Sequence, residues 1–151
     1  MKCLNCGTEL NLEPTMSKCP SCGADLPDRS VCTGGASYYD KDSNTSEGPL
    51  GTFTVVVTGE YLNLYKKSVA RIMLLGAVGM VSKYGKQICS LHKSEITEYS
   101  KKLSFTGKAK SFTIKTPVKT VTFNPAGGGA SKGFTAAMDA FAAGAASSAD
   151  A

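Results

Sequence analysis

Length, composition and charge set the first limits on this chain. It has 151 residues, a net charge of +5 and 42% hydrophobic residues, which suits one ordinary domain plus a small module. The longest apolar run, residues 72–81, is shorter than the roughly 20 residues that a membrane-spanning helix needs, so the sequence excludes such a helix.

Four cysteines at the start of the chain form two Cys-x-x-Cys pairs. Cys3 and Cys6 make the first pair, and Cys19 and Cys22 make the second after twelve intervening residues. A glycine follows each pair, where a tight turn needs a positive φ. Two such turns bring four thiolates together, the ligand set of a tetrahedral Zn²⁺ site. The spacing therefore predicts a structural zinc site in a module over residues 1–26, because four thiolates leave no open position for catalysis.

Two alternatives stay open for these thiols: iron in the same cage and a dithiol redox role. The chain begins without an apolar signal segment, so we expect a cytoplasmic protein in which paired thiols bind metal. A segment as short as residues 1–26 buries little apolar surface, so the metal is expected to supply most of its folding free energy. Cys32 has no partner at metal spacing and is predicted to be a free thiol.

Residues 27–50 have the composition of a flexible linker. Gly, Ser, Asp, Asn, Thr and Pro dominate, and no apolar period is present. Residues 1–50 as a whole contain four cations and seven acids. The first third of the chain is therefore predicted to be an acidic head on a linker.

Residues 51–125 are predicted to form short antiparallel strands. Thr52–Thr58 and Tyr61–Lys67 have the pattern of a β-hairpin, with Leu62 and Leu64 on the face opposite Tyr61, Asn63 and Tyr65. Short strands with turn signals every eight to twelve residues favour an antiparallel barrel or sandwich. Further strands are predicted within Gln87–Leu91, Glu95–Phe105, Ser111–Thr116 (Phe112 and Ile114 inward) and Thr120–Phe123 (Val121 and Phe123 inward).

One helix is predicted near the end of the chain. Over residues 131–143, Phe134, Ala137, Met138 and Phe141 make one apolar stripe at helical spacing, and Ser131 suits the N-cap. Residues 144–151 are small and polar and are expected to be a disordered tail.

The stretch Ile72–Val81 allows three interpretations: buried core, a membrane-inserting loop, or a partner surface. Most such runs are buried. Cationic residues precede and follow it, which is what an interfacial loop would require.

The strand region is strongly basic, with eleven lysines and Arg71 against three glutamates over residues 51–125. Several of these cations lie at predicted turns and are candidates for an anionic ligand, the alternative being an ordinary solvated surface. The candidates are Lys66, Lys67, Arg71, Lys83, Lys86, Lys101, Lys102, Lys108 and Lys110.

Two resemblances follow from these patterns. The run CxxCG…CPxCG over residues 3–23 resembles a bacterial zinc ribbon. Residues 51–143, with the opening hairpin VVVTGEYLNLYKK, a connector, the strands SFTIKT and TVTF, and one final helix, resemble a pleckstrin-homology-like or GRAM-type domain. That resemblance implies two antiparallel sheets curled into a partly open barrel, with the helix plugging one end. It also implies a binding module for protein partners or anionic membrane lipids.

The sequence thus predicts a mainly β protein, a zinc ribbon tethered to a pleckstrin-homology-like domain, acting as a non-enzymatic adaptor. We expect it in the cytoplasm, with attachment to the membrane periphery as an option. No catalytic motif of the common hydrolase, metalloprotease or nucleotide-binding classes is present in the sequence. The alternative is a nucleic-acid-associated zinc-ribbon protein that uses the basic region. The lysines of this region lack the interleaved aromatic residues or the arginine-rich pattern that would favour sequence-specific nucleic-acid recognition.

Overall fold

The computed structural model describes residues 1–67 and 84–147. Most of the regular structure in these residues is β-strand, with one α-helix near the end of the described chain. The elements are β1 Ser30–Asp40, β2 Thr45–Glu47, β3 Phe53–Val57, β4 Tyr61–Lys66, β5 Lys86–His92, a 3-10 helix Lys93–Glu95, β6 Glu98–Leu103, β7 Ala109–Lys115, β8 Lys119–Pro125, α1 Lys132–Phe141 and β9 Ala146–Ser147. The helix is not long and apolar enough to cross a membrane.

The strands form one sheet in the order β5-β4-β3-β1-β8-β7-β6-β9, and β2 pairs with β1. All pairs are antiparallel except β6 with the two-residue β9, which is parallel. Within the described residues no ladder joins β5 at one edge to β6 or β9 at the other. The sheet is therefore open and does not form the predicted barrel of two sheets. Alternating sequence patterns report which face is buried but not whether the two edge strands pair.

The predicted flexible linker over residues 27–50 is also wrong, because it contains β1 and β2. β1 lies in the middle of the sheet, between β8 on one side and β3 and β2 on the other. Its small and polar residues lack an apolar period, so its strand conformation comes from backbone pairing with distant partners rather than from local preference. The sheet therefore begins at Ser30, not at residue 51.

Gly34 is the residue of β1 at which pairing with β3 ends and pairing with β8 begins. It pairs with Phe53 of β3 on one side and with Pro125 of β8 on the other. A Cβ atom at this position would collide with the carbonyl oxygen of Asn124. Only glycine allows the two backbones to approach this closely.

One face of the sheet carries the main hydrophobic core. Leu62 and Leu64 contribute to it from β4, as the alternation of the hairpin predicted. The predicted inward residues of β7 and β8 are confirmed as well. α1 covers this face with its apolar stripe, and Phe134 packs edge-on against the ring of Phe112 at 5.7 Å between centroids. Ser131 caps the helix, its hydroxyl accepting from the amide of Phe134 at 3.1 Å. The predicted helix, its stripe and its cap are confirmed.

The opposite face of β3 and β4 is covered by residues 1–26. All five residues of β3 are buried, so this strand is enclosed on both faces. Val56 and Tyr65 join a second hydrophobic cluster with Met1, Leu10 and Leu12. The N-terminal segment is thus packed on the sheet and is not held apart by a linker.

Candidate metal centre and basic surface

The two Cys-x-x-Cys turns are built in the same way. In each turn the glycine amide donates to the carbonyl of the first cysteine, Gly7 to Cys3 at 2.9 Å and Gly23 to Cys19 at 2.8 Å. Both glycines have a positive φ, +76° and +75°. Each turn is closed by an antiparallel bridge, one between Lys2 and Glu9 and one between Lys18 and Asp25. The repeated backbone path directs four sulfur atoms to one point, which we call the cysteine site.

The distances in the cysteine site fit a four-coordinate metal. The Sγ atoms of Cys3 and Cys22 lie 3.8 Å apart, and those of Cys6 and Cys19 are separated by the same distance. All four Sγ atoms lie within 4.8 Å of one another. A regular tetrahedron with Zn–S bonds of about 2.3 Å has S–S edges of about 3.8 Å. The donor set and its spacing are therefore compatible with zinc, as the sequence predicted.

Polar groups from the turns support the sulfur atoms. Thr8 lies with its hydroxyl 3.2 Å from Sγ of Cys6, and the amide of Asn5 donates to Sγ of Cys22 at 3.4 Å. The hydrogen bonds from Thr8 lower the pKa of the Cys6 thiol to about 6, and the bond from Asn5 lowers the pKa of Cys22. Both contacts favour the thiolate, the form that binds metal. Sequence spacing identified the cysteines but not these two neighbours. Thr8 contacts Cys6 within the first turn, and only the fold brings Asn5 to Cys22 of the second pair.

The chain between the two pairs is held to the sheet by Tyr65 and Arg29. The amide of Leu12 donates to the hydroxyl of Tyr65 on β4 at 3.3 Å. Nη2 of Arg29 donates to the carbonyls of Glu13, Pro14 and Met16 at 3.0, 3.2 and 2.6 Å. The alternation of β4 predicted the face of Tyr65, but no local pattern indicated what that face contacts.

The candidate cations do not form one patch. Lys66 and Lys86 are register partners on β4 and β5, and Lys66 pairs with Glu47 at 3.1 Å. Lys67 is buried, and burial lowers the pKa of its ammonium group. Lys86 lines a cleft of about 360 Å³ that also contains the carboxylates of Asp40 and Glu47. The mixed charges around this group reduce its attraction for an anion.

The other described candidate lysines belong to the hairpin of β6 and β7, and three strands of the sheet lie between that hairpin and β4. Lys101 is bound by Asp139 of α1 at 2.7 Å, and the same carboxylate accepts a hydrogen bond from Tyr99 at 2.7 Å. The candidates Lys102, Lys108 and Lys110 are exposed on the same hairpin.

Two candidate cations, Arg71 and Lys83, lie outside the described residues, as does the apolar stretch Ile72–Val81. The predictions for these residues remain predictions.

The remaining titratable candidates have ordinary roles. Cys32 is unpaired and half-buried on β1, and burial raises the pKa of its thiol. His92 ends β5, where its ring caps the 3-10 helix and its Nε2 lies 3.2 Å from Glu60. Glu60 is also bound by Lys93 at 2.7 Å, so this cluster is a network of exposed ion pairs.

Comparison with protein families, with curated proteins and with solved structures finds no match for this chain. Its function therefore has to be argued from its own geometry.

Proposed function

We propose that this protein is a non-enzymatic binding or adaptor module. In this proposal a structural zinc ribbon is fused to a pleckstrin-homology-like sheet that binds a protein partner or an anionic lipid surface. The observation that carries it is the cysteine site packed against an open sheet whose β6–β7 hairpin presents exposed lysines. We further propose a cytoplasmic protein that attaches peripherally to membranes.

The zinc ribbon is supported by the two matching turns and by the 3.8 Å Sγ–Sγ distances. A bound zinc ion would hold the four thiolates and fix both turns, which supplies folding free energy to a segment with few apolar residues of its own. Since all four ligands come from the protein, the ion would serve as a structural support rather than as a Lewis acid.

The pleckstrin-homology-like interpretation is supported by element order. An opening hairpin, further antiparallel strands and a final helix that packs on the main hydrophobic core follow one another as that class implies. The sheet remains open, and β1 extends it upstream of the resembling segment. The pleckstrin-homology-like proposal therefore concerns architecture. A fold alone does not determine a ligand.

Two measurements test this function. Metal analysis of the purified protein should give one zinc per chain, and a chain that folds with no bound metal would contradict the ribbon. Binding to phosphatidylserine vesicles should weaken steeply as salt increases, because exposed charges are screened within about 10 Å at 0.1 M ionic strength. If vesicles and candidate protein partners both fail to bind the metal-loaded chain, the adaptor function is wrong.

A nucleic-acid role is the second candidate, since exposed lysines next to an exposed Phe105 can also hold a single strand and stack on one base. Filter binding with an unstructured oligonucleotide separates the candidates. Nucleic-acid binding would show a salt slope that grows by nearly one unit per phosphate contact.

A further inference from the structure

The turn between β6 and β7 displays two large apolar side chains to solvent. Phe105 is fully exposed, at 103% of its reference area, and Leu103 is 53% exposed. Both lie in the short interval from the end of β6 to the start of β7, at the tip of the hairpin. Single exposed apolar residues are common, but here a Phe and a Leu two residues apart are both exposed at one hairpin tip.

The tip has a defined backbone conformation. The amide of Ser104 donates to the carbonyl of Lys108 at 2.8 Å, and the amide of Gly107 donates back to the carbonyl of Ser104 at 2.9 Å. The hydroxyls of Ser104 and Thr106 are 2.7 Å apart, in hydrogen-bond contact. This closed turn holds Phe105 outward and prevents it from folding back onto the core.

Four exposed lysines lie on this hairpin or on the helix beside it. Lys102, Lys108 and Lys110 lie on the hairpin, and Lys132 lies across a pocket of about 340 Å³ between the turn and α1. None of these four forms an ion pair with any residue in the described part of the chain. The one carboxylate lining the pocket, that of Asp139, is already bound by Lys101 and Tyr99. The surface around the tip therefore has an uncompensated positive charge.

We propose that the β6–β7 tip docks this protein on an anionic phospholipid bilayer. Phe105 and Leu103 enter the interface between headgroups and acyl chains, and the four lysines contact the phosphate and carboxylate groups around them. This inference rests on the proposed binding function and assigns its lipid contact to one surface.

Geometry and chemistry favour a bilayer over other partners. The apolar side chains stand on a projecting turn, whereas hot-spot residues of a protein interface usually fill packed pockets near its centre. Leu103 offers no π-face for a nucleic-acid base, but it partitions into hydrocarbon as readily as Phe105 does. An exposed apolar tip with exposed lysines on the same hairpin is the kind of surface that peripheral membrane proteins use.

The experiment is vesicle co-sedimentation of the full metal-loaded chain, with phosphatidylcholine vesicles and with phosphatidylcholine vesicles that contain phosphatidylserine. Wild type should bind only the second kind. Phe105→Ala should weaken that binding about tenfold, through lost apolar burial. Each of Lys102→Ala, Lys108→Ala and Lys132→Ala should weaken it about fivefold, the effect of one lysine near an anionic surface.

Two matched controls lie elsewhere on the surface. Leu50, 84% exposed in the segment between β2 and β3, is the apolar control, and Lys41, exposed after β1, is the charge control. Leu50→Ala and Lys41→Ala should bind as wild type does. The chain contains no tryptophan, so Phe105→Trp provides a single fluorescent reporter. Its emission should shift to the blue with phosphatidylserine vesicles, whereas that of Leu50→Trp should not.

The outcomes separate this inference from the wider function. If wild type binds the anionic vesicles but the tip variants bind equally well, the tip is not the docking site and the binding function stands. If wild type fails to bind, lipid docking is refuted, and protein-partner assays decide the adaptor function. Binding of an oligonucleotide that Phe105→Ala abolishes, without vesicle binding, would assign the tip to nucleic acid and overturn the proposal.

Discussion

The amide nitrogen of Leu12 donates a hydrogen bond to the phenolic oxygen of Tyr65, 3.3 Å away and 53 residues later in the chain. Leu12 lies between the two cysteine pairs, and Tyr65 lies on the outer face of β4. Both residues are almost completely buried. This contact joins the cysteine site to the sheet, so we expect a change in the stability of one to alter the stability of the other.

Tyr65→Phe tests that connection. The substitution keeps the packed ring but leaves the buried amide of Leu12 without its acceptor, and it removes a contact of 3.5 Å to Gln87. We expect the free energy of unfolding to fall by about 1–2 kcal/mol, the cost of an unsatisfied buried donor. Urea denaturation measures it. Tyr39→Phe is the matched control, because the Tyr39 hydroxyl makes only an exposed contact and should change stability by less than about 0.5 kcal/mol.

Gly34 and Gly35 are matched positions for testing the close approach between β1 and β8. A Cβ at Gly34 would overlap the carbonyl oxygen of Asn124, whereas a Cβ at Gly35 would meet nothing within 4 Å. We expect Gly34→Ala to lose at least about 2 kcal/mol of stability, because rigid backbone must move to relieve the overlap. Gly35→Ala should be nearly neutral. Equal thermal denaturation midpoints for the two variants would show that the close approach is not required.

The sequence alone predicted those parts of the fold whose signal is local. The alternation of Leu62 and Leu64 placed the β4 core face, and the spacing of Phe134 and Met138 placed the helix stripe, because periods of two and 3.6 residues report burial directly. The positions of the four clustered cysteines were equally readable, since the spacing within each pair is set by one tight turn.

The predictions that were wrong concerned structure that depends on contacts between distant segments. β1 has no apolar period, and it is a strand because β3, β8 and β2 pair with its backbone. The packing of residues 1–26 on the sheet was not predicted either, although the unbroken apolar run Val55–Val57 indicated that this strand is covered on both faces. A continuous apolar run in a strand is typical of burial on both faces. Closure of the sheet had no sequence signal at all.

Arg29 is expected to stabilise the loop between the cysteine pairs. One guanidinium nitrogen serves three carbonyls of that loop and is partly buried. Arg29→Met keeps the apolar stem but removes these bonds, and we expect a loss of about 1.5–3 kcal/mol, as for hydrogen bonds to a charged group. Lys18→Met is the contrast, because the Lys18–Asp25 pair is highly exposed and such pairs contribute little. A similar effect of both variants in urea denaturation would argue against a specific role for Arg29.

Removal of the metal should destabilise the sheet as well as the cysteine site. Cys3 and Cys19 share a hydrophobic cluster with Val56 and Tyr65, so loss of the turns would expose the outer face of β3 and β4 to water. With a chelator we expect the midpoint of thermal unfolding to fall by more than about 5 °C, in one cooperative step. Hydrogen exchange should accelerate at the amides of β3 and β4 before those of β7 and β8, which contribute no residue to the described cluster.

The matched variants for this prediction are Cys6→Ser and Cys32→Ser. The first removes a ligand and should reproduce the effect of the chelator, since three thiolates hold the metal less tightly. The second removes a thiol outside the cysteine site and should leave the chelator response intact. An independent head on a flexible linker would behave differently. Metal loss would then unfold residues 1–26 alone and leave the melting of the sheet unchanged.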